Sequence, residues 1–179
     1  RTFTAGKPVT IMLPFNFTRN RITLAHDNAN PSGKFYEFKG IEEDLEHKWV
    51  AVMIEAGETL SNEVVENTLQ ANHPYLYVPG ESTEYWDTYV SSGINIFTQD
   101  NGGGSKVAAY EGFELRGTYT EKVWEENDPE IGKAYVYNAN GELVPVAAGT
   151  RIRPTECYII QTKKLMTGTD ITVTIPQKE

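Results

Sequence analysis

The chain has one cysteine, Cys157, so it cannot close an internal disulfide, and three histidines, His26, His47 and His73, in unrelated contexts. None of the Cys-x-x-Cys, His-Glu-x-x-His or calcium-loop spacings occurs, and nothing in the sequence predicts a zinc site. Basic residues are also scarce: 16 Lys+Arg stand against 25 Asp+Glu, a formal net charge of −9. Nucleic acids are gripped through phosphates by clustered Lys and Arg, so this balance argues against such a partner, and equally against docking by charge on an anionic membrane. Both halves of the chain are acidic, so no basic arm hides inside the average. No apolar run approaches the ~20 residues that cross a bilayer as a helix, and the N-terminus lacks the pattern of a signal peptide. A Gly-x-Ser-x-Gly elbow is missing, and no histidine is placed to serve a nucleophile. Helical periodicity is almost absent.

What is present is a globular composition, 39% hydrophobic and 23% charged over 179 residues. A chain of this size can bury roughly two thirds of the surface its unfolded form exposes, enough for a core without metals or disulfides. Its size and composition fit one domain, 1–179, and a start at Arg1 with no initiator Met reads as a processed or excised piece of a longer product.

Short β-type runs broken by turn residues recur from end to end. They include Val9 to Leu13, Arg21 to Leu24, Lys34 to Phe38, Trp49 to Ile54 and Tyr75 to Val78. Ile94 to Phe97, Lys106 to Tyr110, Phe113 to Arg116, Ala134 to Tyr137, Leu143 to Val146 and Tyr158 to Ile160 follow. At the C-terminus Ile171, Val173 and Ile175 alternate with Thr172 and Thr174, the pattern of a half-buried strand. Asn138-Ala139-Asn140-Gly141-Glu142 supplies the positive φ angles of a hairpin turn. Asn28 to Gly33 and Asn101 to Ser105 read as loops, and Ser61 to Asn67 is the one helix candidate. About a dozen short strands without crossover helices predict antiparallel sheets packed as a sandwich, jelly-roll-like or Greek-key, with a partly closed barrel as the alternative.

Several segments in order resemble an accessory module of secreted and cell-surface proteins of Bacteroidetes. Val9-Thr10-Ile11-Met12-Leu13-Pro14-Phe15 resembles its opening strand, and Leu69 to Leu76 its Leu-x-Ala-Asn-x-Pro-Tyr-Leu segment. Phe113 to Thr120 is similar to its Phe-x-Gly-Thr-Tyr strand, with two residues more between Phe and Gly. Gly132 to Ile159 is similar to its closing hairpin, although Thr155-Glu156-Cys157-Tyr158 stands where the module usually has Phe-Arg-Ala-Tyr. The resemblance implies an all-β module exposed at the cell surface or secreted, with no catalytic residues to carry over. Its partners would be a glycan or a host or cell-surface protein.

The aromatics, 11% of the chain, carry the functional potential. Tyr85-Trp86-Asp87-Thr88-Tyr89 follows a polar stretch beyond Tyr75 to Val78, and Trp124 is flanked by Glu125 and Glu126. Flat rings in loops with carboxylates beside them are how non-catalytic modules bind sugars. The candidate ligand-binding residues are therefore Tyr85, Trp86, Asp87, Tyr89 and Trp124. The competing reading is that these rings cover the ends of a sandwich, with an apolar body inside and a polar tip at the rim. Trp49, inside an apolar run, reads as core, and Cys157 as a small buried residue. No cofactor motif is present, and calcium stays open, since oxygen ligands can come from loops such as Glu125-Glu126-Asn127-Asp128-Pro129-Glu130. Nothing marks two carboxylates that converge on a cleft, as glycoside hydrolysis requires. The expected role is binding or adhesion, with a structural spacer second and a glycan-active enzyme third.

Overall fold

A computed structural model describes residues 2–16, 23–24, 33–43, 49–56, 69–80, 84–87, 106–110, 112–163 and 171–174. Among these the regular structure is all strand. In chain order the strands are β1 (Thr2–Phe3), β2 (Val9–Ile11), β3 (Thr23–Leu24), β4 (Lys34–Glu43) and β5 (Trp49–Ala56). They continue with β6 (Tyr75–Val78), β7 (Glu84–Asp87), β8 (Val107–Tyr110), β9 (Phe113–Gly117) and β10 (Lys122–Val123). The last are β11 (Ala134–Tyr137), β12 (Leu143–Pro145), β13 (Arg151–Ile152), β14 (Cys157–Gln161) and β15 (Ile171–Thr174). The helix candidate at 61–67, the strand at 94–97, the loop at 101–105, His26 and His47 lie outside the described residues.

Two five-stranded sheets dominate, ordered β15-β5-β4-β6-β2 and β12-β11-β14-β9-β8. Their central core unites Tyr36, Phe38, Ala51, Met53 and Leu76 of the first sheet with Phe113, Leu115, Tyr135, Cys157 and Ile159 of the second. The fold is thus the expected all-β sandwich, with one exception to its antiparallel pairing. β15 runs parallel to β5, Ile171 opposite Trp49 and Thr174 opposite Val52. Parallel neighbours need a long crossover. Here residues 57–170, which contain the whole second sheet, supply it.

Both large sheets bury both faces. In β6, Leu76 faces the second sheet while Tyr75 and Tyr77 join Phe3, Phe35 and Trp86 in a core on the other side. In β14, Cys157 and Ile159 face the centre while Tyr158 and Ile160 join Trp124, Val136, Val146 and Ile152 in a third core. Strands with two buried faces read as continuous apolar runs, which is how both appear in the sequence. Two thin layers supply the outer covers: the three-stranded sheet β1-β7-β3 over the first sheet, and the β10-β13 pair over the second. Pairs of two residues cannot display a period of two, so the sequence does not announce β1, β10 or β13.

The sheets are stitched along the free edge of β2. The Thr10 hydroxyl donates to the Cys157 carbonyl at 2.9 Å and accepts from the Cys157 N–H at 2.8 Å. Two residues on, the Met12 N–H donates to the Thr155 carbonyl at 2.9 Å. Met12 seats against Gly117, where a Cβ would press on the Met12 side chain and force it to shift. Replacing Thr10 by Val keeps the shape and removes both hydroxyl bonds from a buried site. Thr10→Val is expected to lower stability by about 1–3 kcal/mol in a urea titration, with Thr10→Ser close to wild type. Equal midpoints for Thr10→Val and wild type would show that the hydroxyl does not join the sheets.

Candidate functional site

Tyr85, Trp86 and Asp87 do not lie in a loop. Glu84–Asp87 form β7, paired antiparallel with β1 through Tyr85 opposite Thr2, and with β3 through Trp86 opposite Leu24. Trp86 points inward and is 8% exposed, its ring centroid 4.5 Å from Phe3, 4.7 Å from Tyr77 and 5.9 Å from Phe35. Trp124 is 0% exposed, packed edge-on against Tyr158 at 5.1 Å. A sugar-stacking platform needs an open ring face, and neither tryptophan offers one: both are core. The charged neighbours Glu84, Asp87, Glu125 and Glu126 made these segments read as solvated, but a two-sided strand and a folded-back loop each carry one apolar residue inward. The side chains of Trp49, Tyr85 and Asp87, and the whole of Tyr89, lie outside the described residues.

The acidic loop after Trp124 folds back onto the outer face of the second sheet. Glu130 accepts hydrogen bonds from Trp124 Nε1 at 3.0 Å, Arg116 Nη1 at 3.2 Å and the Tyr158 hydroxyl at 3.2 Å, and pairs with Lys122 Nζ at 3.0 Å. Lys122 also approaches Asp128 at 3.8 Å and sits 4.9 Å above the Trp124 ring. Burial alone would pull the Lys122 and Arg116 pKa values down. Hydrogen bonds, to Glu130 for Lys122 and to Glu114 for Arg116, outweigh it and hold both above their ordinary values. The positive charge that calcium would bring to Asp128 and Glu130 is already supplied by these side chains. Among the described residues no group of three His, Cys, Asp or Glu side chains could hold a metal ion.

A groove of about 540 Å³ lies beside β2, between the N-terminal segment, the β11–β12 hairpin and the turn that leads into β14. All three cores reach it: Phe3 from one outer core, Cys157 from the centre, Val136 and Ile152 from the other. The hairpin forms at the Asn-Gly pair, with Gly141 and not Asn140 taking the positive φ. Asn138 Oδ1 accepts from the N–H groups of Asn140 and Glu142 at 2.8 and 3.0 Å, and Gly141 takes φ +78°. A Cβ at Gly141 would press on Pro8 and the Lys7 backbone, so only glycine lets the hairpin tip close that end of the groove. At the mouth Lys7 Nζ donates to the Ala139 carbonyl at 3.4 Å.

The turn before β14 holds Thr155 at φ +73°, a strained conformation for a β-branched residue. Hydrogen bonds on both sides maintain it: the Thr155 N–H donates to Thr118 at 2.7 Å and its carbonyl accepts from Met12. The neighbours of this strained residue, Arg153 and Glu156, both line the groove. Tyr137 is also part of the wall. Its hydroxyl is buried without a hydrogen-bond partner, and burial pushes its pKa well up. Sequence reasoning passed over Lys7, Tyr137 and Arg153 because they are ordinary members of a turn and two strand borders, and only the fold brings them together.

Comparison with protein-family models, with curated proteins and with solved structures finds no match to this chain.

Removing a buried hydroxyl that has no partner costs nothing and can stabilise, whereas breaking a made bond costs about 1 kcal/mol. Tyr137→Phe is therefore expected to leave the thermal midpoint of the ligand-free protein unchanged or higher. A clear fall would show that the hydroxyl has a partner within the fold.

Proposed function

We propose that this chain is a non-catalytic β-sandwich module of a secreted or cell-surface protein, and that the groove beside β2 binds a glycan. The observation that carries the reading is the groove itself, whose volume of about 540 Å³ matches small-molecule sites and whose wall mixes polar and apolar surface. Strands and a hydrogen-bonded hairpin form its sides, so it is shaped before a ligand arrives. The strained turn beside it adds weight, since such strain gathers at binding sites. Pyranose rings have apolar faces and hydroxyl edges, which suit Pro8 and Val9 beside Thr2 and Thr4. The groove lining holds one carboxylate, Glu156, where glycoside hydrolysis calls for two, which supports binding over turnover. The cell-surface setting rests on the resemblance to the Bacteroidetes module.

A glycan array probed with three proteins tests this. Ala139 is exposed at the groove rim, so Ala139→Trp should fill the groove without disturbing a core. Wild type and Trp86→Phe are expected to bind the same glycans, and Ala139→Trp, with an unchanged thermal midpoint, to bind none. Loss in Trp86→Phe with retention in Ala139→Trp would return the site to β7, and binding by none of the three would overturn the reading.

A further inference from the structure

We propose that the groove selects carboxylate-bearing sugars of the uronic acid type; the inference rests on the glycan-binding reading above. It starts from the charges in the lining. Lys7 and Arg153 bring two cations against the one carboxylate of Glu156, in a chain whose net charge is −9. That local excess runs opposite to the protein as a whole.

Lys7 and Arg153 are set apart by sharing one groove: Lys106, Lys133 and Lys163 also lack an ion pair among the described residues, while four other cations have one. Arg116 pairs with Glu114 and Glu130, Lys122 with Glu130 and Asp128, Lys39 with Glu37, and Arg151 with Glu121. Among the described residues neither Lys7 nor Arg153 has a carboxylate within ion-pair distance. Lys7 has a single carbonyl bond at 3.4 Å. The nearby Glu156 carboxylate accepts from the Arg153 backbone N–H at 2.9 Å, so one of its oxygens is engaged in shaping the turn. With 25 acidic residues in the chain, leaving two cations of one groove unmatched keeps donors available for an anion from outside. An ammonium and a forked guanidinium suit a carboxylate, with charge-assisted hydrogen bonds stronger than those to a neutral hydroxyl.

The other polar groups of the wall narrow the ligand further. The Asn138 side chain is spent on its own turn, through Asn140, Glu142 and a bond from Nδ2 to the Glu142 carboxylate at 2.8 Å. The Thr10 hydroxyl is spent on Cys157. Thr2 and Thr4 are left for neutral hydroxyls, and Pro8 and Val9 for an apolar ring face. A hydroxylated ring with a carboxylate answers all three features, and a simple carboxylate only the first.

Calorimetric titrations with glucuronate, glucose and acetate test the proposal, using wild type and the double variant Lys7→Met, Arg153→Met. Wild type is expected to bind glucuronate at least about tenfold tighter than glucose, and acetate more weakly than either. The double variant, with an unchanged thermal midpoint, should lose the preference for glucuronate over glucose. Added salt should erode the preference, since charges at the groove mouth are screened over ~8 Å at physiological ionic strength. Equal affinity for glucuronate and glucose would overturn the proposal and leave the glycan-binding reading standing. Acetate binding as tightly as glucuronate would overturn the sugar class. Failure of both sugars alongside a neutral glycan captured on the array would overturn this inference alone, whereas no binding in either experiment would overturn both.

Discussion

The Thr10 hydroxyl is the interaction on which the architecture turns. A sandwich of two sheets normally closes through apolar side chains alone, but β2 lies at the edge of its sheet with backbone groups that need partners. The Thr10 side chain reaches across to the opposite sheet, its hydroxyl donating to the Cys157 carbonyl and accepting from the Cys157 N–H. With Met12 bonded to Thr155, this holds the first sheet's edge against the start of β14. The groove exists because of that clasp: its inner wall is Thr10 and Cys157, and its far wall is the strained turn that the Met12 bond secures.

The same demand, that every buried polar group find a partner, organises the outer layers. Trp124 closes the third core only because its indole N–H can donate to Glu130. Glu130 in turn can lie there because Arg116 and Lys122 offset its charge. The result is a loop fixed over the second sheet by one carboxylate with four partners. Over the first sheet Trp86 needs no such hub, since Phe3, Phe35 and Tyr77 surround its ring. Against this background the unpartnered hydroxyl of Tyr137 stands out, and it belongs to a residue of the groove wall.

Much of the fold was legible in the sequence. Tyr75–Val78 and Ala134–Tyr137 form strands with the bounds their composition suggests, and the Asn-Gly hairpin falls between β11 and β12. What stayed hidden has physical reasons. Glu84–Asp87 was hidden because its acidic ends and the polar residues before it mask a four-residue strand whose Trp86 is buried against another sheet. The parallel pairing of β15 with β5 depends on a partner more than a hundred positions away, which local alternation cannot encode. Trp86 and Trp124 were the natural binding candidates because aromatic rings beside carboxylates suit both a sugar site and a capped core, and burial decides between those roles. The groove was illegible for the opposite reason. Lys7, Tyr137 and Arg153 are unremarkable where they stand, and gain meaning only when β2, β11 and the turn before β14 come together.

A chain with few bases and no motif of catalysis thus keeps two unmatched cations and a buried, unpartnered hydroxyl around one cavity. The central claim is about place: ligand goes to the edge where three cores meet, and not to the aromatic strand that the sequence advertises. The direct test is an amide-resolved nuclear magnetic resonance titration of the wild-type protein with glucuronate. The account predicts saturable shifts concentrated in Lys7–Thr10, Tyr137–Gly141 and Arg153–Cys157, with Glu84–Asp87 unmoved. Shifts centred on Glu84–Asp87, or none anywhere at saturating sugar, would contradict it.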